Sequence, residues 1–185
     1  MAKKQITFYY AHISPWSYMA FSRIKKTAEE HGADILYKPV SLRHIFPLTG
    51  GIPIGQRHQS RLDYRLADLK RWIDYLGIEM NLKPAHFPVD DSKAGALAYG
   101  ALAQGRAIDD FSYRLLRAVW YDDLDISQDD TLIEIAQQSG LDGRSLLANQ
   151  DQFEPDFIKA SQEAVDAGVF GAPSFVIDPK ISRCQ

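Results

Sequence analysis

Residues 6–21 read ITFYYAHISPWSYMAF, and the change of pattern inside them decides the fold. Ile6 to Tyr10 is a run of β-branched and aromatic residues whose length suits a strand better than a helix. From Pro15 onward the apolar positions become Tyr18, Phe21, Ile24 and Ala28, three or four apart, and Gly32 closes the pattern, which predicts an amphipathic helix. Ser14 and Pro15 stand at the join. A serine oxygen accepts a hydrogen bond from a backbone N–H one turn ahead, and proline suits the first helical position, so an ordinary helix cap is one sufficient reading of the pair.

Working outward, Ile35 to Val40 reads as a second strand, with Pro39 placing it at an edge or a strand end because proline donates nothing to the ladder. A strand, a helix and a strand in this order imply a parallel pair joined by a right-handed crossover. The stretch 42–55, LRHIFPLTGGIPIG, is rich in glycine and proline and is expected to be a loop. Helical spacing then takes over: Leu62, Leu66, Leu69, Ile73 and Leu76 before Gly77, Ala94, Leu97, Ala101 and Leu102 before Gly105, then Phe111, Leu115 and Val119, and Leu132, Ile135 and Ala136 before Gly140. Phe157, Val165 and Gly168 outline a further helix, and strand character returns only at 174–177. The expected organisation is therefore an α/β domain split in two: an N-terminal part at 1–56, an all-helical insertion at 57–150 and a C-terminal part at 151–185.

Composition narrows the function. At 185 residues, 45% hydrophobic and 24% charged, the chain has enough apolar residues for a core and enough charge for a wetted surface. Its 21 basic and 24 acidic residues give a net charge of -3 with no concentrated basic block, which argues against nucleic acid as a partner. No apolar run approaches a membrane span, and MAKKQITFYYAH lacks the apolar core of a signal peptide, so a cytoplasmic protein without membrane contact is expected. Cys184 is the single cysteine and the five histidines show no paired ligand spacing, so neither an intramolecular disulfide nor a metal site is expected.

Two features favour a binding site over a plain cap at Ser14. The motif falls at the carboxyl end of the first strand of a β-α-β unit, where open α/β sheets bind ligands. It also exposes a helix N-terminus, whose unpaired N–H groups and dipole favour an anion. Far downstream GAPSF sets Ala172-Pro173 directly before the last strand. That proline either starts a strand in the ordinary way or makes a cis peptide that turns the Ala172 backbone toward a neighbouring site.

Together these pieces resemble the thioredoxin-like fold in its DsbA-type form, with the CxxC of that family replaced by Ser14-Pro15-Trp16-Ser17. Without a thiolate, disulfide exchange is not expected. The stretches SPWSYMA, YRLADLKRWIDYLGI, HFP at 86–88 and GVFGAPSFVID are similar to 2-hydroxychromene-2-carboxylate isomerases and the related kappa-class glutathione transferases. The resemblance implies glutathione as cofactor, with Ser14 as the catalytic residue that stabilises its thiolate. Ala172 and Pro173 would hold the cysteinyl unit, and Gly51 would lie in a loop at the cofactor. It also implies a small aromatic carboxylate as substrate, for which Arg61, at the place of the family's KxxY lysine, and Arg57, His12, His44, Trp16, Phe46 and Phe87 are candidates, each with a surface or core role as its plain alternative. Relatives of this kind are often homodimers.

The chain departs from the family at Ala11, where an aspartate is usual, and at Gly51, where an asparagine is usual. After the GAPSF strand it reads DPKISRCQ, with no match to the family's GxDR-like segment or final helix, so a shortened C-terminal end is expected. Three functions follow from the resemblance: a glutathione-dependent isomerase, a kappa-like transferase or peroxidase, and a non-catalytic thioredoxin-like binding protein.

Overall fold

Strand β1 (Gln5–Tyr10) lies at the centre of the molecule because both of its faces are covered. In the computed structural model, which describes residues 4–177 and 180–182, side chains alternate along it as strand geometry requires. Ile6, Phe8 and Tyr10 point to helix α1 (Pro15–Glu30), packing on Ala20, Phe21, Ile24 and Ala28. Tyr9 points the other way, into a cluster with Val40, Ile45, Ala164 and Val169. Phe8 stacks on Phe175 at 5.1 Å between centroids and meets Phe21 edge-on at 5.5 Å.

The sheet order is β2-β1-β3-β4. β2 (Asp34–Pro39) runs parallel to β1, with Phe8 opposite Tyr37, and ends on Pro39 at the sheet edge. β3 (Ser174–Ile177) is antiparallel to β1, and the three-residue β4 (Lys180–Ser182) is antiparallel to β3. Of the C-terminal DPKISRCQ, residues 178, 179 and 183–185, Cys184 among them, lie outside the described residues.

Between β2 and β3 the described chain is helical. The expected loop at 42–55 is corrected in its first half, where α2 (Leu42–Thr49) forms despite Pro47. Ser41 supplies the missing signal: it caps α2 by accepting from the His44 N–H, and Gly50, at φ 75°, closes the helix in the left-handed region where glycine is at ease. Glycine and proline therefore punctuate only residues 50–55, ending in one 3₁₀ turn at Ile54–Gln56. Next come α3 (Gln59–Leu76), α4 (Ser92–Ala103), α5 (Asp109–Trp120), α6 (Asp129–Gln138), α7 (Gly143–Ala148) and α8 (Gln150–Asp166). Helices α4 to α7 enclose a core of their own around Leu97, Leu115, Trp120 and Leu132, while Leu116, one residue along α5, joins the core beneath β1. No helix among the described residues is long and apolar enough to cross a membrane.

Helix α8 ties the helical region to the sheet. It lies along α4 on one side and against α2 on the other. Ser161 on α8 accepts from the Ser41 N–H at 2.8 Å and donates to the Phe157 carbonyl at 2.8 Å, so α8 fixes the start of α2. The α4–α8 approach depends on Gly95, where an added Cβ would fall 2.6 Å from the Phe157 ring. Phe157 is 1% exposed and has no open side to move into. Gly95→Ala should therefore destabilise by about 1–3 kcal/mol through overpacking, although alanine is the better helix former. Urea unfolding would show this as a lower midpoint at unchanged slope, and a midpoint at or above wild type would contradict it.

Candidate active site

The end of β1 delivers Ser14 to a junction between two distant parts of the chain. Its N–H donates to the Ala11 carbonyl at 2.9 Å, turning the chain out of the strand. Its Oγ accepts from the Ser17 N–H at 3.2 Å, capping α1, and donates to the Ala172 carbonyl at 3.0 Å. Ala172-Pro173 is cis, as is Phe87-Pro88. The two serines of the motif divide their work: Ser14 borders a cavity, whereas Ser17 is fully buried and its Oγ accepts from the Ala11 N–H at 3.3 Å.

The cavity, ≈ 350 Å³, has Ser14 and Ala172 on one side and an apolar wall that includes Trp16, Phe46 and Phe87. Arg43, Arg57 and Arg65 also border it, and among the described residues no acidic side chain does. The larger groove of ≈ 610 Å³, bordered by Tyr18, Tyr113 and Arg117, excludes both Ser14 and Ala172.

The three arginines are not equivalent. Arg43 is neutralised by Asp90 at 2.9 Å. Arg57 donates from Nε to the Ile52 carbonyl at 2.8 Å, and burial first, then Arg61, lowers its pKa. Arg65 lies over the rings of Phe87 and Trp120, at 5.2 and 5.8 Å from their centroids. Burial, with Arg57 adding to it, pushes its pKa down to about 10, which still leaves it charged at neutral pH. Arg57 precedes α3 and Arg61, on it, is exposed, so the four-residue spacing of 57, 61 and 65 does not by itself mark Arg65 in the sequence.

The structure brings Ser14, Ala172, Trp16, Phe46, Phe87 and Arg57 together and leaves other candidates aside. Arg61 is exposed and does not border the cavity. His44 faces α8, with its Nε2 3.0 Å from Gln162 Oε1. Gly51 packs its Cα against the Phe46 ring so closely that an added Cβ would meet Cδ1 at 2.2 Å, which gives this glycine a packing reason. His12 is fully buried behind the motif, its Nε2 3.3 Å from Ser112 Oγ, which itself bonds the Tyr10 hydroxyl at 2.7 Å. Burial lowers the His12 pKa to about 3, so the ring is neutral at physiological pH.

Sequence patterns give no notice of Asp91. It is 3% exposed at the start of α4, beside the cavity wall at Val89. Asp91 is the N-cap residue of α4 yet makes no side-chain cap bond; Asp90, one residue earlier, accepts from the N–H and hydroxyl of Ser92 at 2.9 and 2.6 Å. The Asp91 carboxyl meets its own backbone N–H and that of Ile13, next to Ser14, while Oδ2 has no hydrogen-bond partner. Burial first and the Asp90 charge second raise its pKa to about 7, against the weaker opposing pull of Arg43.

The fold has known relatives. The model of the DSBA-like thioredoxin domain matches residues 5–183. A 2-hydroxychromene-2-carboxylate isomerase of Sphingobium xenophagum is 28% identical over 181 residues, covering 96% of this chain and 91% of the relative. A protein of the same name from Pseudomonas putida is 25% identical over 175 residues, covering 93% and 84%. Among solved structures, a 2-hydroxychromene-2-carboxylate isomerase superposes with a TM-score of 0.79 at 23% identity, over 96% of this chain and 87% of that one. The cytosolic disulfide reductase DsbM of Pseudomonas aeruginosa with GSH superposes with a TM-score of 0.71 at 17% identity, over 98% and 89%.

Asp91 makes stability depend on pH with a definite sign. An acid whose pKa is raised on folding keeps its proton where the unfolded chain has lost it, so its contribution is fullest below pH 4 and is lost as pH rises through about 7. Asp91→Asn, which mimics the protonated form, should gain a Tm advantage over wild type that widens between pH 4 and pH 8, at roughly 2–4 °C per kcal/mol. A difference that stays flat across that range would show that folding does not raise the Asp91 pKa.

Proposed function

Because the chain belongs to the DSBA-like thioredoxin domain family, we propose that its Ser14 site binds glutathione and uses the cofactor's thiolate to isomerise a conjugated aromatic carboxylate. The observation that carries this reading is the Ser14 hydroxyl itself, held at the N-terminus of α1, 3.0 Å from the Ala172 carbonyl and beside an aromatic cavity without acidic lining. The names of the isomerase relatives support the reaction class, and the GSH that accompanies DsbM in its solved structure supports the cofactor.

In this scheme the Ala172 carbonyl would accept from the cysteinyl N–H of bound glutathione, in the manner of a strand added to a sheet edge. That contact frees the Ser14 hydroxyl to donate to the sulfur. A hydrogen bond to the thiolate and the helix N-terminus both favour its charged form, which is the nucleophile. Bound glutathione would supply a thiolate able to add reversibly to one end of a conjugated carbon–carbon double bond, which would allow rotation there before the thiol is eliminated unchanged. For 2-hydroxychromene-2-carboxylate, ring opening and this rotation lead to trans-o-hydroxybenzylidenepyruvate. The arginines hold the carboxylate and the aromatic wall receives the ring.

The test is calorimetric glutathione binding at pH 7.5 by wild type and Ser14→Ala, followed by an isomerisation assay with 2-hydroxychromene-2-carboxylate. Loss of one hydrogen bond to a charged group, about 1.5–3 kcal/mol, should weaken binding about 10- to 150-fold in the variant. Glutathione should be recovered in full after turnover. Equal affinities would remove Ser14 from the thiol site, and glutathione consumed in step with the substrate would replace the isomerase with a transferase.

A further inference from the structure

We propose that Arg65 is the specificity-determining residue of the cavity: its guanidinium anchors a carboxylate carried on a flat conjugated ring. This assignment rests on reading the cavity as the substrate site, but it concerns the anion and not the thiol. Arg65 sits on α3 one turn before Leu69, which is fully buried, so the helix face that seats Leu69 also carries Arg65 inward. There its charge has no carboxylate to meet. Among the described residues no ion pair or hydrogen bond to Arg65 is formed, and the charge that perturbs it is the like charge of Arg57.

A cation drawn out of water beside another cation is unfavourable unless something compensates for it. Phe87 and Trp120 compensate in part through their ring faces. The rings attract the positive charge but offer its N–H donors no oxygen or nitrogen lone pair. Those donors form a fork that matches a planar carboxylate, and Arg57 borders the same cavity. The rest of the enclosure selects the body that carries the anion. A cavity of ≈ 350 Å³ walled by Trp16, Phe46 and Phe87 suits a ring system and offers little to a strongly hydrated anion such as phosphate.

The arrangement predicts an inverted relation between stability and binding. If the Arg65 charge serves the ligand, removing it should leave the free protein as stable as before or more so, whereas a merely structural arginine would be missed. The experiment measures Tm by scanning fluorimetry without glutathione, using 2-naphthoate and its neutral amide as matched probes. Wild type should rise in Tm with 2-naphthoate concentration and stay unchanged with the amide. Arg65→Met should start at or above the wild-type Tm and lose the naphthoate shift, with a dissociation constant raised at least about tenfold. Arg65→Lys, which keeps the charge without the fork, should keep part of the shift, and it also serves if the methionine variant folds poorly. Arg61→Ala should behave as wild type. A naphthoate shift that survives Arg65→Met, or no shift in wild type, would overturn the proposal. Since neither probe has a thiol, that result is independent of whether glutathione binds at Ser14.

Discussion

One hydroxyl, that of Ser14, joins the parts of the molecule that chemistry needs side by side. It caps α1 through the Ser17 N–H and reaches across 158 residues of sequence to the Ala172 carbonyl. Both contacts require β1, which carries Ser14 at its end and pairs with β3 just beyond Ala172. The pairing of Phe8 with Phe175 sets that register, because a one-residue slip would turn the Phe175 ring away from the core. An apolar contact in the middle of the sheet thus determines where a polar contact forms at its edge.

The helical region adds the chemistry that the sheet lacks. Its packing on the sheet runs through α8 and α2, so Phe46 and Arg43 on α2 hold positions set by Ser161 on α8. From α3 it supplies Arg65, and from the segment before α4 it supplies Phe87. The result concentrates unusual electrostatics around one cavity: an arginine without an acid, an aspartate without full hydrogen bonding and a histidine too buried to protonate. Each is costly for the fold, and such groups gather at sites with a function.

Strands β1 to β3, α1 and the helical character of the middle are legible in the sequence because their apolar periodicities are strong and agree with their caps, whereas the three-residue β4 is too short to show a period. The Ser14 cap is legible for the same reason, since Ser-Pro at the start of an apolar 3,4 pattern has few other readings. Residues 42–49 read wrongly as a loop because proline and glycine outweigh Ser41, whose capping role shows only once α8 holds it in place. Arg65 and Asp91 cannot be distinguished from surface charges by pattern alone. Burial of a charged group depends on which elements cover it, and that is decided by contacts between segments far apart in sequence. The histidines err in the opposite direction: His12 lies close to the motif in sequence, yet the turn into α1 sends its ring into the core.

Whether the Ser14 junction holds a thiolate is tested most directly by the pKa of glutathione's thiol when bound, followed by the ultraviolet absorbance of the thiolate in a pH titration against the same protein carrying Ser14→Ala. The bound pKa should lie clearly below the free thiol value of about 8.5 and move back toward it in the variant. A bound thiol that titrates as it does in water would contradict a thiolate-stabilising role for Ser14.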